Sequence, residues 1–198
     1  MPKRLVILHG YTAHPTSHWF PWLAQTFAPL GVDVAIPELP ATEAPEPQAW
    51  VGAAAQAIGR VDDDLVIVGH SLGCITALHA LARVAEPWSL GGLVMVSGFD
   101  GALNTLPELA PFTATVPDLA RISAATRHRS VITASDDQIV PASASAALAA
   151  HLDAELETLP TGGHFLDREG CRALPAARDR VASAFGFSRE RMGGYVST

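Results

Sequence analysis

The chain has 198 residues, 48% of them apolar, which suits one globular domain with a full core. Its net charge of -7 excludes a general nucleic-acid binder, which needs a basic face to displace counterions. Two cysteines, Cys74 and Cys171, make no disulfide framework, and no segment reaches the roughly 18 consecutive apolar residues of a membrane span.

The first apolar run, Leu5–Leu8, is too short for a signal-peptide core, so a cytoplasmic location is expected. It reads as a strand that ends at His9-Gly10. A helix follows over His18–Ala28 and a strand over Val32–Ile36. Pro37–Pro47 carries four prolines and reads as an extended loop into a helix over Pro47–Ile58. Leu65–Val68 is the third strand, Cys74–Ala85 the next helix and Leu93–Val96 the fourth strand. The long stretch Gly98–Arg129 contains Pro107, Pro111 and Pro117. It forms either a rim or cap over a site, or a solvated connection with one packed helix around Pro117–Ala125.

Ser130–Thr133 is the fifth strand, and Pro141 opens the helix that runs to His151, where its missing N–H costs nothing. Glu155–Leu159 and Arg172–Phe185 complete the pattern as strand and helix, and residues 188–198 read as a flexible polar tail. Strands alternating with helices mean βαβ units on a parallel sheet. The expectation is a single α/β domain over residues 1–187, with three α/β/α layers.

Gly69-His70-Ser71-Leu72-Gly73 lies between the third strand and its helix. A G-x-S-x-G sequence in that context makes a sharp turn, with room only for hydrogen at the flanking positions. It raises the serine hydroxyl above the sheet at a helix N-terminus. Cys74 then falls in the first helical turn, as a small core residue beneath the serine.

A serine needs a base to take its proton, and the base needs a third group to hold its tautomer. Candidates follow in the order Ser, Asp, His, each just after its own strand. His164 stands in the glycine loop Thr161-Gly162-Gly163-His164-Phe165. Asp137 has a D-x-x-V-P continuation through Pro141, while Asp136 and Asp100 remain alternatives for the acid. Ligands in such sheets bind at the carboxyl ends of the strands, where all of these residues fall.

Backbone N–H groups complete the set. Leu72, after the serine, supplies one oxyanion donor, and Tyr11 in His9-Gly10-Tyr11-Thr12 supplies the second, with Thr12 as the alternative. His14 and His18 are four apart, but Pro15 intervenes and no carboxylate lies nearby in sequence. No metal site and no cofactor are expected. Trp19, Trp22, Phe99, Phe112 and Phe165 are candidates for either an apolar pocket or the core.

On these residues the chain resembles the α/β-hydrolases, in particular the small serine hydrolases of the retinoblastoma-binding protein 9 and YdeN-like family. The likeness rests on the first strand leading straight into the oxyanion loop and on His18-Trp19-Phe20-Pro21-Trp22-Leu23. It rests also on Asp136-Asp137-Gln138-Ile139-Val140-Pro141 and on Gly163-His164-Phe165. The resemblance implies a six-stranded sheet in order 2-1-3-4-5-6 with no large lid, and the second aspartate of the pair as the acid. Leu72-Gly73-Cys74-Ile75-Thr76 has threonine where an L-x-C-x-E binding motif needs glutamate, so that interaction is not carried over.

The function expected is hydrolysis of small carboxylic esters through an acyl-enzyme. Amidase, thioesterase and perhydrolase chemistry would use the same residues. A binding or regulatory module with little turnover is the alternative from another class. The expected partner is a small ester, with no nucleic acid and no membrane. The sequence leaves the oligomeric state open.

Overall fold

The computed structural model describes residues 2–85, 87–188 and 192. Six strands form one parallel sheet: β1 (Arg4–Leu8), β2 (Asp33–Ala35), β3 (Leu65–His70), β4 (Leu90–Val96), β5 (Thr126–Ala134) and β6 (Glu155–Leu159). Their order is β2-β1-β3-β4-β5-β6. The helices are α1 (Phe20–Phe27), α2 (Pro47–Ile58), α3 (Leu72–Ala82), α4 (Ala110–Thr113), α5 (Leu119–Ala125), α6 (Ala142–His151) and α7 (Pro175–Ala184).

Successive side chains of a strand point to opposite faces, and here both faces are apolar. Val6, Ile67, Leu93 and Met95 pack under α2, α3, α5 and α6 with Trp50, Leu78, Ile122 and Leu148. Leu5, Ile7, Val68 and Val94 pack on the other side with Phe20, Phe27 and Val181, under α1 and α7. The result is a three-layer α/β/α sandwich whose strands all end at one edge. No helix among the described residues is long and apolar enough to cross a membrane.

Several boundaries differ from the sequence expectation, each for a local reason. β4 starts at Leu90 rather than Leu93, taking in Gly91 and Gly92. A side chain at Gly91 would stand 2.3 Å from the Asp63 carbonyl oxygen, and one at Gly92 would stand 2.6 Å from the Ala184 methyl group. These glycines admit close neighbours; they do not mark a turn.

β5 starts at Thr126 rather than Ser130, which puts His128 in a strand. Arg127 and His128 are exposed, so that half of the strand carries no apolar signal. α1 starts at Phe20 rather than His18, whose φ of 54° cannot open a helix. α6 starts at Ala142 with Pro141 as its N-cap, and α7 starts at Pro175 rather than Arg172. α3 begins at Leu72, directly after Ser71, and ends at Ala82.

The connection between β4 and β5 holds a 3-10 turn (Pro107–Leu109), α4 and α5. Leu109, Phe112 and Ile122 anchor it in the core. The tail expected over residues 188–198 lies outside the described residues apart from Ser188 and Met192.

Candidate active site

Ser71 sits at the apex between β3 and α3, with φ 52° and ψ -121°. Few non-glycine residues adopt such a conformation, which costs on the order of 1–3 kcal/mol, and the surroundings enforce it. The Ser71 N–H extends the sheet ladder to the Val96 carbonyl at 2.9 Å, and the Ser71 carbonyl accepts the Cys74 N–H at 2.9 Å. A Cβ at Gly73 would lie 2.2 Å from the Leu8 carbonyl oxygen and 2.7 Å from that of His9. A Cβ at Gly69 would lie 2.8 Å from the Cys74 Cα. Both flanking glycines are therefore required by backbone contact. Cys74 lies buried beneath the turn, and burial pushes its thiol well above the usual range.

The turn after β5 presents Asp137. Its Oδ1 accepts the N–H groups of Ile139 and Val140, each at 2.9 Å. This closes an Asx-type turn before Pro141, which is the physical content of the D-x-x-V-P pattern. Oδ2 accepts the imidazole Nδ1–H of His164 at 2.8 Å and the hydroxyl of Ser97 at 2.8 Å. Asp137 and His164 are only 5% and 3% exposed. Burial raises the Asp137 carboxyl. The hydrogen bond and charge of His164, helped by the two N–H donors, outweigh it and leave the carboxyl below its ordinary value.

The other two aspartates face elsewhere. Asp136 Oδ1 accepts the Gly163 N–H at 2.9 Å and so braces the histidine loop from outside. Asp100 Oδ2 pairs with His151 Nδ1 at 2.6 Å. Of the three candidates, Asp137 is the one bonded to the His164 imidazole.

The loop of β1 runs beside the serine, since a Cβ at Gly10 would lie 3.0 Å from the Ser71 Cβ. The Thr12 N–H is taken by the Thr42 carbonyl at 3.0 Å, a bond that does not occupy the Tyr11 N–H. Leu72 is the first residue of α3, and the first N–H groups of a helix have no partner within it. His9 ties the loop down. Its Nδ1–H donates to the Gly10 carbonyl at 3.0 Å and its Nε2 accepts the Leu39 N–H at 3.2 Å. Burial lowers its pKa and keeps the ring neutral.

Ser71 and His164 line one cavity of about 400 Å³. Leu106, Ile139 and Leu166 supply apolar parts of the lining, and Tyr11, Thr12, His18, His70 and Arg168 more polar ones. The long β4–β5 connection thus contributes Leu106 to the rim. Trp19, Phe99, Phe112 and Phe165 are buried in the core, and Trp22 packs against it. None of the five lines the cavity. His14 and His18 turn to different carboxylates, Glu38 and Asp167, each at 3.2 Å. Among the described residues no group of three or more His, Cys, Asp or Glu could hold a metal ion.

Sequence reasoning missed two members of this arrangement. Ser97, buried with φ 47°, shares Asp137 Oδ2 with the imidazole. Glu169 accepts the N–H groups of His164 and Leu166 through one oxygen, at 2.9 and 3.0 Å. A carboxylate five residues after the histidine was the only available signal for it.

A family model for serine hydrolases matches residues 5–183. The hydrolase YdeN of Bacillus subtilis is 39% identical over 185 residues, covering 93% of this chain and 97% of that protein. The crystal structure of the ydeN gene product superposes with a TM-score of 0.89 at 38% identity, over 93% of this chain and 99% of that one. An α/β-superfamily hydrolase from Xanthomonas campestris shares the fold, with a TM-score of 0.62 at 22% identity over 93% and 98% of the two chains.

Proposed function

The chain belongs to the serine hydrolase family, and from that premise we propose that it cleaves small carboxylic esters through an acyl-enzyme on Ser71. The observation that carries the reading is the buried Asp137–His164 hydrogen bond at the cavity that also holds Ser71.

In this reading the Ser71 hydroxyl attacks the ester carbonyl carbon while His164 Nε2 takes its proton. The Tyr11 and Leu72 N–H groups hold the oxyanion, and each such donor contributes about 2.7–4 kcal/mol in the transition state of comparable enzymes. The tetrahedral intermediate collapses, the C–O bond to the alcohol breaks, and His164 returns the proton to the leaving oxygen. Water then repeats the sequence on the acyl-enzyme and releases the acid. Asp137 keeps the His164 proton on Nδ1 and stabilises the imidazolium formed at each attack. The reaction needs neither a cofactor nor a metal, and the partner is a small ester handled in the cytoplasm.

A cavity of this size admits a small ester. The test is turnover of p-nitrophenyl esters graded by acyl length, by the wild type and by Ser71→Ala. The reading predicts turnover of the short esters by the wild type and none by the variant. Equal turnover by Ser71→Ala would remove Ser71 from the chemistry.

A further inference from the structure

His70 is the last residue of β3, immediately before Ser71, and is 1% exposed. Its Nε2 lies 2.9 Å from the carbonyl oxygen of His164. A carbonyl oxygen has no proton to give, so Nε2 carries one and donates it. Nδ1 is then a bare acceptor, buried and without a hydrogen-bond partner among the described residues, although the ring also contributes to the lining of the cavity. The ring nests among aromatic neighbours, with centroids 4.9 Å from His164, 5.6 Å from Phe20 and 6.0 Å from Trp19. Burial, reinforced by the charge of His164, holds its pKa well below the usual imidazole range.

Packing does not explain a histidine here. A buried acceptor left without a donor costs folding free energy, and phenylalanine would fill the same nest without that cost. What the imidazole adds is a single N–H aimed at a single carbonyl. That carbonyl belongs to a residue in need of ties. Gly162, Gly163 and Phe165 around it have φ values of 149°, 55° and 57°, and His164 lies outside any strand or helix. Glu169 holds its N–H, Asp137 its imidazole and His70 its carbonyl. Among these ties, the one from His70 comes from the residue bonded to the serine itself.

We propose that His70 is a positioning residue whose Nε2–H clamps the His164 backbone to the elbow and thereby sets the separation of base from nucleophile. The proposal rests on the reading of Ser71 and His164 as nucleophile and base. His70 exchanges no proton with the substrate and stays neutral throughout. A clamp at this place matters because a misplacement of about 1 Å in reacting geometry can cost on the order of 10²-fold in rate.

Two substitutions and one spectrum test the idea. His70→Phe keeps the aromatic packing and removes the donor, while His70→Gln keeps an N–H that can reach the carbonyl. The expected result for His70→Phe is a kcat about 10- to 100-fold lower with little change in KM, and fluorophosphonate labelling slowed in parallel. Its urea midpoint should stay near that of the wild type, and His70→Gln should recover most of the rate. Wild-type kcat in His70→Phe would overturn the proposal. So would equal losses in both variants that track a loss of stability, which would make His70 a packing residue.

Nitrogen NMR of the histidine-labelled wild type gives an answer that needs no variant to fold. The neutral Nε2–H tautomer of His70 is expected, and an Nδ1–H tautomer would overturn the clamp. Ser71→Ala, run alongside, separates the two levels: if it still labels and turns over, the nucleophile reading has failed whatever His70 does.

Discussion

Replacing Asp137 by asparagine tests how the imidazole is held, because the four hydrogen bonds to this carboxylate allow the amide no good orientation. If the amide oxygen faces His164, the NH2 meets the Ile139 and Val140 N–H groups, donor against donor. If the NH2 faces His164 instead, it needs a bare Nδ1, and the ring proton moves to Nε2, where it blocks proton transfer from Ser71. Loss of the orienting carboxylate in this way lowers kcat by roughly 10³–10⁴. At about 1.36 kcal/mol per tenfold, that is about 4–5.5 kcal/mol of transition-state stabilisation. KM should move far less, since the carboxylate touches the histidine and not the substrate.

The assay is steady-state hydrolysis of a short p-nitrophenyl ester, with Asp100→Asn as the comparison. Asp100 is paired with His151 and should matter by about tenfold or less. The reverse ranking of the two variants would refute the argument and move the acid to the end of β4.

The same carboxylate gives a pH prediction. Its native pKa is depressed, so its contribution to stability is complete above the unfolded-chain value of about 3.9 and fades as pH falls through the lower native value. In urea titrations the stability gap between wild type and Asp137→Asn should therefore narrow below about pH 4; a gap that widens on acidification would contradict it. Gly73→Ala forces a methyl group to 2.2 Å from the Leu8 carbonyl oxygen, which the backbone cannot yield without opening the elbow. A loss of about 1–3 kcal/mol or more in urea unfolding is expected, together with loss of ester turnover. A stable, active variant would mean the turn is looser than described. Dialysis against a strong chelator should leave ester turnover unchanged; a large loss restored by zinc would replace the triad mechanism with a metal-assisted one.

The sheet and its order were legible because the inner strands are short apolar runs between helical segments. Elements failed to read where the pattern was silent. The first half of β5 is held by backbone pairing, with Gly92 of β4 opposite His128 and Leu93 opposite Arg129, while Arg127 and His128 face solvent. Gly91 and Gly92 carry no apolar signal, and in the structure they are strand residues where the backbone and a methyl group approach closely. At the site, Ser71 and Asp137 were visible as candidates because their neighbours are fixed by local backbone geometry. The supports were not visible. Ser97 lies 40 residues from Asp137, and His70 lies 94 from His164. Only the fold brings such pairs together, and no local rule places a hydroxyl or an imidazole against a partner that distant.

Covalent labelling reports on Ser71 as the nucleophile without reference to any substrate. The protein is treated with a fluorophosphonate and its peptides are mapped by mass spectrometry. One phosphonyl adduct is expected on Ser71, absent from Ser71→Ala and formed much more slowly in Asp137→Asn. An adduct on another serine, formed at an unchanged rate in Ser71→Ala, would contradict Ser71 as the nucleophile.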